Sequence, residues 1–331
     1  MADLALQNSG LSSSASVDRS RVLTRFKFGD ATFKYVTLGS AVTVLILLGG
    51  VIIALFEGAM PAFRAFGIGF LWGQSWNPVT EKFGALAPIY GTIMTSFIAM
   101  LIAIPIGIGT AIFLTELCPP WLRRPIGTAI ELLAGIPSII YGIWGLFVFA
   151  PFLQSTVQPF LISLFGPIPV LNAVFAGPPY GIGILTAGLI LAIMVLPFVA
   201  SISRDVFETV PAVLKEAAYG LGCTRWEVVR SVIIPYTRVG IIGGVMLGLG
   251  RALGETMAVT FVIGNAHRIS ASILQPGTTI SATIANEFTE AVGDVYTSSL
   301  VALGLILFVI TFFVLAAARL LLLKIEKRTG G

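Results

Sequence analysis

The chain has 331 residues, of which 56% are hydrophobic and only 11% are charged, with a formal net charge of +4 and a mean hydropathy of +0.96. About a quarter of the residues of a soluble domain are charged, so this composition excludes a soluble globular protein. It predicts an all-α polytopic membrane protein. The two cysteines, Cys118 and Cys223, fall in segments predicted to be cytoplasmic, so we expect free thiols. His267 has no second His or Cys nearby, so we predict a loop residue and no metal site.

Six apolar segments follow a polar start. Residues 1–34 are Ser-rich and then basic, and they lack the apolar core of a cleaved signal peptide, so we predict a cytoplasmic tail. Residues 35–323 form the predicted membrane domain, with spans near the roughly 20 residues that cross a bilayer, and residues 324–331 form a second cytoplasmic tail. The predicted spans are Tyr35–Phe56, Ile93–Leu114, Ile126–Phe149, Ile182–Ser201, Val239–Ile263 and Ser299–Leu322.

The positive residues predict the orientation. Of the 20 Lys and Arg residues, sixteen lie in the two tails and in the loops after spans two and four. The three loops on the other side hold only Arg64, Lys82 and Arg268, and Arg251 lies inside a span. Cytoplasmic loops are enriched in Lys and Arg, so both termini are predicted to be cytoplasmic.

Proline and glycine interrupt several spans. Pro105 is expected to bend span two, the segment Gly135–Ser138 to bend span three, and Pro197 to bend the end of span four. Two interpretations stay open. The bends are ordinary kinks in a packed bundle, or they are broken helices whose freed backbone groups face a wet cavity.

A polar segment, residues 204–238, separates spans four and five. Pro211 suits the first turn of a helix, and Gly222 can end that helix in a left-handed conformation. Thr224 opens an S/T-x-x-E capping box for a second short helix, which Pro235 is predicted to end. The result is a helix–turn–helix, which predicts either a docking site for another protein or an amphipathic loop that rests on the membrane surface.

Span five carries charged residues. Gly240, Gly244, Gly248, Arg251 and Glu255 have spacings that place them on one face of a helix. The glycines allow close helix approach, whereas each charge costs at least about 2.5–3.5 kcal/mol at the bilayer centre. The face is therefore predicted to meet protein or water. An intrahelical pair that only stabilises packing is one hypothesis, and a charged translocation path is the other. We favour the path because buried ion pairs are often poor stabilisers.

Glu131 is a third charge predicted to lie within the membrane, in span three. We consider it a candidate partner for Arg251 across the bundle and a candidate residue of the same path.

The polar segment resembles a known loop. Glu216-Ala217-Ala218, then Gly222, then Val232-x-Ile234-Pro235 is similar to the EAA–G–I-x-L-P loop of binding-protein-dependent ABC-importer permeases, with Val and Ile in place of Ile and Leu. In that family the loop is the coupling helix, which docks into a groove on the ATPase subunit. The resemblance implies this ATPase-coupling role for Glu216, Ala217, Ala218, Gly222, Arg225, Ile234 and Pro235.

Two further runs narrow the resemblance. GRALGETMAVTFVIGNA (250–266) and ELLAGIPSIIYGIWG (131–145) resemble the PstC-type permeases of high-affinity phosphate importers, over most of residues 80–320. This implies a bacterial inner-membrane permease of type I ABC-importer architecture, with Arg251 and Glu255 on the substrate pathway. It further implies a PstA-type second permease, two PstB-type ATPase subunits and a PstS-type periplasmic phosphate-binding protein as partners.

The motifs that the sequence lacks agree with ATP hydrolysis in a separate subunit. The sequence has no G-x-x-x-x-G-K-[ST] phosphate-binding loop, and a single loop histidine provides no catalytic set. We therefore predict no enzyme activity and no cofactor in this chain, with ATP and Mg²⁺ bound by the partner ATPase. Two alternatives remain: a permease for sulfate, molybdate or phosphonate, and an ion-coupled secondary transporter or channel. Secondary transporters usually show internal repeats, and spans one to three do not convincingly repeat in spans four to six.

Overall fold

The computed structural model describes the backbone of residues 10–328 and the side chains of residues 30, 32–169, 171–320 and 322–324. The chain divides into two compact units, one up to Glu57 and one from Gly58 onward. Between residues 10 and 328 the regular elements are all helical, apart from an isolated β-bridge between Asn77 and Lys82. The predicted all-α class is therefore confirmed.

The helices are numbered in chain order. The α-helices of the described residues are α1 (Gly10–Phe66), α2 (Gly69–Trp72), α3 (Leu86–Ile112), α4 (Pro120–Ala134), α5 (Ser138–Trp144), α6 (Ala150–Phe152), α7 (Gln158–Phe165), α8 (Pro169–Phe175), α9 (Ile184–Glu208), α10 (Ala212–Gly220), α11 (Arg225–Val228), α12 (Ile234–Gly254), α13 (Met257–Val262), α14 (Ile280–Glu287) and α15 (Asp294–Arg328). Four π-helical turns adjoin them: Phe113–Leu117, Gly145–Phe149, Leu153–Val157 and Val229–Ile233.

Six helical stretches in the described residues are long and apolar enough to cross a membrane, as the sequence predicted. They are Thr32–Phe66, Leu86–Leu117, Ser138–Phe165, Ile184–Glu208, Arg225–Gly254 and Asp294–Lys324. Residues 10–34, predicted as a tail, are helical and continue into the first of these stretches, whereas residues 1–9 and 329–331 lie outside the described backbone. The six stretches follow the predicted order, but the third and fifth are displaced along the chain.

The third span begins later than predicted. The prediction was one helix over Ile126–Phe149, but Gly135 ends α4 and Pro137 precedes α5. Proline cannot donate a backbone hydrogen bond to the preceding turn, so the two helices separate there. Glu131 thus belongs to a helix before the span, and the span continues past the predicted end at Phe149 as far as Phe165.

The fifth span begins earlier than predicted. Pro235 does not end the second short helix, because the helix is continuous from Arg225 to Gly254. The π-helical turn Val229–Ile233 lies immediately before the proline. Since the proline ring crowds the carbonyl four residues earlier, the wider turn lets the helix pass the ring without breaking.

All four π-helical turns show the same relation to proline. Each of them ends two residues before a proline, and these prolines are Pro119, Pro151, Pro159 and Pro235. In three cases the helix continues, and at Pro119 it stops. Proline alone does not produce a wide turn, because Pro105 and Pro197 lie inside α3 and α9 with no π-helical turn before them.

Helix α9 lies at the centre of the second unit and is the most buried of the six spans. The predicted glycine face of α12 packs against it: a Cβ atom at Gly240, Gly244 or Gly248 would lie within 2.9 Å of a side chain of α9. The close helix approach predicted from these glycines is confirmed.

The loops fall into two groups at opposite ends of α9. At the start of α9, the segment 263–279 packs against the first turn, where the Ile184 N–H donates to the Gln275 carbonyl. The other end of α9, which finishes at Glu208, already belongs to the polar segment 204–238. The segments 67–85, 166–183 and 263–293 are called the far side below, because they lie at the end opposite the polar segment.

Candidate translocation path and coupling surface

Arg251 lines a cavity of about 510 Å³ beside α12. The other lining residues are apolar: Phe198, Gly243, Met246, Leu247, Gly250 and Leu315. The Arg251 guanidinium carbon lies 4.6 Å from the centre of the Phe198 ring, a cation–π contact. Its Nε is buried and has no hydrogen-bond partner among the described residues. A cation with unused donors therefore faces an otherwise apolar cavity.

Glu255 does not pair with Arg251, which corrects the expectation of an intrahelical pair. α12 ends at Gly254, and Glu255 is extended, with φ −67° and ψ 129°. Its carboxylate instead accepts, at 3.5 Å, the N–H of Ala258 in the first turn of α13. Among the side chains that the structure describes, Arg251 has no ion-pair partner. The packing hypothesis thus loses the contact on which it depended.

Glu131 pairs with Arg204 and not with Arg251, which corrects the second expectation. The Arg204 Nη2 donates to the Glu131 carboxylate at 2.8 Å and to the Asp205 carboxylate at 3.0 Å. The Glu131 side chain is 53% exposed, so it is not buried within the helix bundle. Glu131 therefore lies at the end of α9 that carries the polar segment, and the structure does not bring it to the cavity of Arg251.

The polar segment forms the predicted helix–turn–helix. Gly222 has φ 86°, its N–H donates to the Tyr219 carbonyl, and the Cys223 N–H donates to the Ala218 carbonyl. This is the Schellman arrangement that ends a helix in left-handed glycine. The capping box is also present, because Thr224 accepts from the backbone of Glu227 and the Glu227 carboxylate accepts from the backbone of Thr224.

The surface of this segment combines charge with exposed apolar groups. Glu216, Ala217 and Arg225 are exposed, Ala218 and Ile234 are half-buried, and Pro235 is exposed. Around them lie the exposed side chains of Val213, Leu221 and Trp226. Large exposed apolar side chains beside charged ones are typical of a protein–protein contact.

Two contacts tie the polar segment to the membrane domain. The Lys215 ammonium donates at 2.6 Å to the carboxylate of Glu116, in the π-helical turn that ends span two, and the Glu116 side chain is only 9% exposed. A buried cluster that includes Phe207, Val228 and Ile233 lies beneath the two short helices. α10 is thus joined to the end of span two by an ion pair and by packing.

A cluster around Glu287 joins the far-side segments. Its carboxylate accepts hydrogen bonds from Trp76 and, at 2.8 Å each, from His267 and the Tyr296 hydroxyl. The Trp76 and His267 rings stack with centroids 5.1 Å apart. Burial raises the pKa of Glu287, but the hydrogen bonds from His267, Tyr296 and Trp76 outweigh burial and leave the pKa below its ordinary value.

Several of these residues were missed by sequence reasoning. Arg204 and Glu116 each lie at the polar end of an apolar span, which is a detectable signal, but their partners are 73 and 99 residues away in the chain. His267 was predicted as a loop residue, and it lies in a loop, but its bond to Glu287 had no signature in the local sequence.

Residues 103–327 match the family described as binding-protein-dependent transport system inner membrane component. The chain therefore belongs to this family. Its relatives include the phosphate transport system permease protein PstC of Mesorhizobium japonicum, 72% identical, with 95% of this chain and 96% of the relative covered. The protein of the same name from Pasteurella multocida is 58% identical, with 90% of this chain and 93% of the relative covered. The predicted resemblance to PstC-type permeases is confirmed.

Solved structures with a similar fold are also ABC importers. A bacterial transporter involved in the import of the acidic polysaccharide alginate gives a TM-score of 0.56 at 17% identity, with 86% of this chain and 95% of that chain covered. An inward-facing MetNI methionine transporter gives 0.52 at 16% identity, with 72% and 94% covered. At these identities the likeness establishes the fold alone, and that fold is the predicted ABC-importer permease architecture.

Proposed function

We propose that this chain is the permease subunit of an ATP-driven phosphate importer and forms half of its translocation path. The observation that carries the proposal is the 72% identity, over 95% of the chain, to a protein named as a phosphate transport permease. The Arg251 cavity supports it, because a guanidinium is always protonated and can bind two oxygens of a phosphate at once. Passage of an anion also requires binding that is favourable but weak.

The proposed path places Arg251 on the substrate route and gives Glu255 a different task. By accepting the Ala258 N–H, the Glu255 carboxylate holds the start of α13 directly after the break that follows Arg251. The two residues thus act in series, one on the anion and one on the backbone. Glu131, paired with Arg204 at the other end of α9, is proposed to hold α4 against α9.

The energy comes from partners in this proposal. The exposed residues of the polar segment, led by Glu216 and Arg225, dock on an ATPase subunit that binds ATP and Mg²⁺. The complete transporter contains a PstA-type second permease, two PstB-type ATPase subunits and a PstS-type binding protein. The chain itself is a permease, not an enzyme, and lies as a multi-pass protein in the bacterial inner membrane with both termini cytoplasmic.

Uptake by the reconstituted complex tests the substrate. Proteoliposomes that contain the permease pair and the ATPase should take up radiolabelled phosphate only under two conditions. ATP must be present on the side of the polar segment, and the binding protein must be present on the far side. An excess of unlabelled sulfate or molybdate should not compete. Competition by sulfate would replace phosphate with another oxyanion, and uptake by the lone chain without ATP would replace the importer with a secondary transporter.

Thiol labelling tests the orientation. Val79 and Leu221 are 92% and 86% exposed, on the far side and in the polar segment respectively. In a background without Cys118 and Cys223, a cysteine at position 79 should react with an impermeant reagent in intact cells, and a cysteine at 221 should react only after the cells are opened. The reverse pattern would place the polar segment outside the cell and remove it from the ATPase.

A further inference from the structure

The far side contains a pocket of about 350 Å³ around Arg268. It is bounded on one side by Ala173, Ala176 and Gly177 and on the other by residues 268–272 and Gln275. A cavity needs only about 10–15 Å³ of this kind of volume to hold one water molecule, so the pocket has room for many. A tetrahedral anion with part of its hydration shell therefore fits.

Three side chains of this pocket, Arg268, Ser270 and Ser272, have protons to donate. Arg268 Nη2 donates to the Gln275 side-chain oxygen at 3.1 Å, and the guanidinium has further N–H groups left. The hydroxyl oxygens of Ser270 and Ser272 each accept a backbone N–H, so each keeps its own proton to donate. Among the described side chains, the lining contains no carboxylate and Arg268 has no ion-pair partner. This donor set complements an oxyanion.

The pocket is fixed in place by contacts outside it. The Tyr90 hydroxyl donates to the Ser270 carbonyl at 2.9 Å, and the Ile273 N–H donates to the Val174 carbonyl at 2.9 Å. Gly177 has φ 109°, and a Cβ atom there would collide with the Gln275 amide that supports Arg268. The two walls are therefore joined to each other and to span two, so the donors are held together before any ligand arrives.

We propose that this pocket binds the transported oxyanion on the far side, as a second anion site of the permease before the cavity of Arg251. The inference deepens the proposed function and rests on it for the identity of the anion, phosphate. The segment 263–279 follows α13 directly, and α13 is anchored by Glu255 just after Arg251. The two guanidinium groups thus belong to one stretch of chain, Arg268 at the far side and Arg251 within the span.

The test measures local potential and occupancy rather than transport. Ala271 lies in the pocket wall and is exposed. The complex carrying Ala271→Cys, Cys118→Ser and Cys223→Ser is placed in nanodiscs and treated with an anionic or a cationic methanethiosulfonate. Adding Arg268→Gln should lower the anionic-to-cationic rate ratio by about fivefold or more, as expected for loss of a unit charge a few ångströms away. Lys82→Gln, a far-side cation outside the pocket, is the matched control and should leave the ratio unchanged.

Inorganic phosphate then reports occupancy. Millimolar phosphate should slow the modification of the cysteine at position 271 when Arg268 is present and should not slow it in Arg268→Gln. Equal rates with and without phosphate in both proteins would overturn the site, even if the complex imports phosphate. Protection by phosphate without phosphate uptake would uphold the site and overturn the substrate assignment of the proposed function.

Discussion

At the scale of single residues, Arg251 carries the sharpest prediction. Arg251→Gln removes the one charge among the described residues that line its cavity. Hydrogen bonds to charged groups contribute about 1.5–3 kcal/mol, so phosphate uptake should fall by roughly tenfold to a hundredfold. Arg251→Lys keeps the charge but loses the two-pronged geometry, so it should retain part of the uptake. Radiolabelled uptake, normalised to the amount of protein in the membrane, is the measurement.

The competing packing hypothesis forecasts a different result. If Arg251 only fills space beside Phe198, the apolar variant Arg251→Met should preserve both protein level and uptake. The same should hold for Arg251→Met combined with Glu255→Leu. Normal uptake by either variant would remove Arg251 from the substrate path.

Residue patterns singled out Arg251, Glu255 and Glu131 as charged residues near apolar spans, but they did not predict which groups these residues contact. The sequence placed Arg251 and Glu255 one turn apart on the assumption that the helix continued, but α12 stops between them at Gly254. Glu131 looked intramembrane because its neighbours are apolar, yet its partner Arg204 lies 73 residues away. Spacing along a helix predicts contacts only while the helix persists, and contacts between distant segments depend on the tertiary fold.

At the scale of elements, Gly222 controls the angle between α10 and α11. A Cβ atom there would meet nothing within 4 Å, so the cost of a side chain comes from the left-handed backbone alone. For Gly222→Val that cost is about 1–2 kcal/mol, and the two helices should reorient to avoid it. We expect normal insertion but loss of ATPase binding or of ATP-coupled uptake. Gly222→Asn is the matched control because asparagine tolerates this conformation, and equal behaviour of both variants would contradict the prediction.

The ion pair between Lys215 and Glu116 joins α10 to the end of span two, and its removal can be tested. Lys215→Glu and Glu116→Lys each place two like charges in contact at this half-buried site, so each should reduce thermal stability and ATP-coupled uptake. The double exchange restores opposite charges and should recover much of both. Stability and uptake of the single and double variants would be compared. Recovery of stability without recovery of uptake would make the pair structural and remove it from coupling.

The element boundaries were predictable where glycine or a cap decides them. Gly222 and the Thr224 capping box formed as predicted, because their effect is local. Pro235 did not end its helix, which continues past it after a π-helical turn. Pro119, with a similar turn before it, does end a helix. A proline in the sequence therefore does not by itself show whether the helix ends there or continues.

At the scale of the whole molecule, the Glu287 cluster makes the far side sensitive to acid. The pKa of Glu287 is lowered in the folded protein, so its contribution to stability is full above the ordinary value of 4.5 and is lost as the pH falls through the lower folded value. Thermal unfolding of the purified protein should therefore shift to lower temperature below that pH. Glu287→Gln should be less stable at neutral pH and should show a smaller shift.

Glu290→Gln is the control for that experiment, because Glu290 is an exposed carboxylate on the same segment. It should keep the pH profile of the wild type. An identical profile in Glu287→Gln would show that acid sensitivity arises elsewhere.

The continuous helix from Arg225 to Gly254 has a mechanical consequence. At 1.5 Å per residue its 30 residues measure about 45 Å. It begins on the surface proposed to touch the ATPase and ends three residues beyond Arg251. If the helix moved as one body, a tilt of roughly 5° about its coupling end would move its far end by about 4 Å. A displacement of that size exceeds the reach of a hydrogen bond, so a small rotation at the motor would suffice to bring the guanidinium to the anion or to withdraw it.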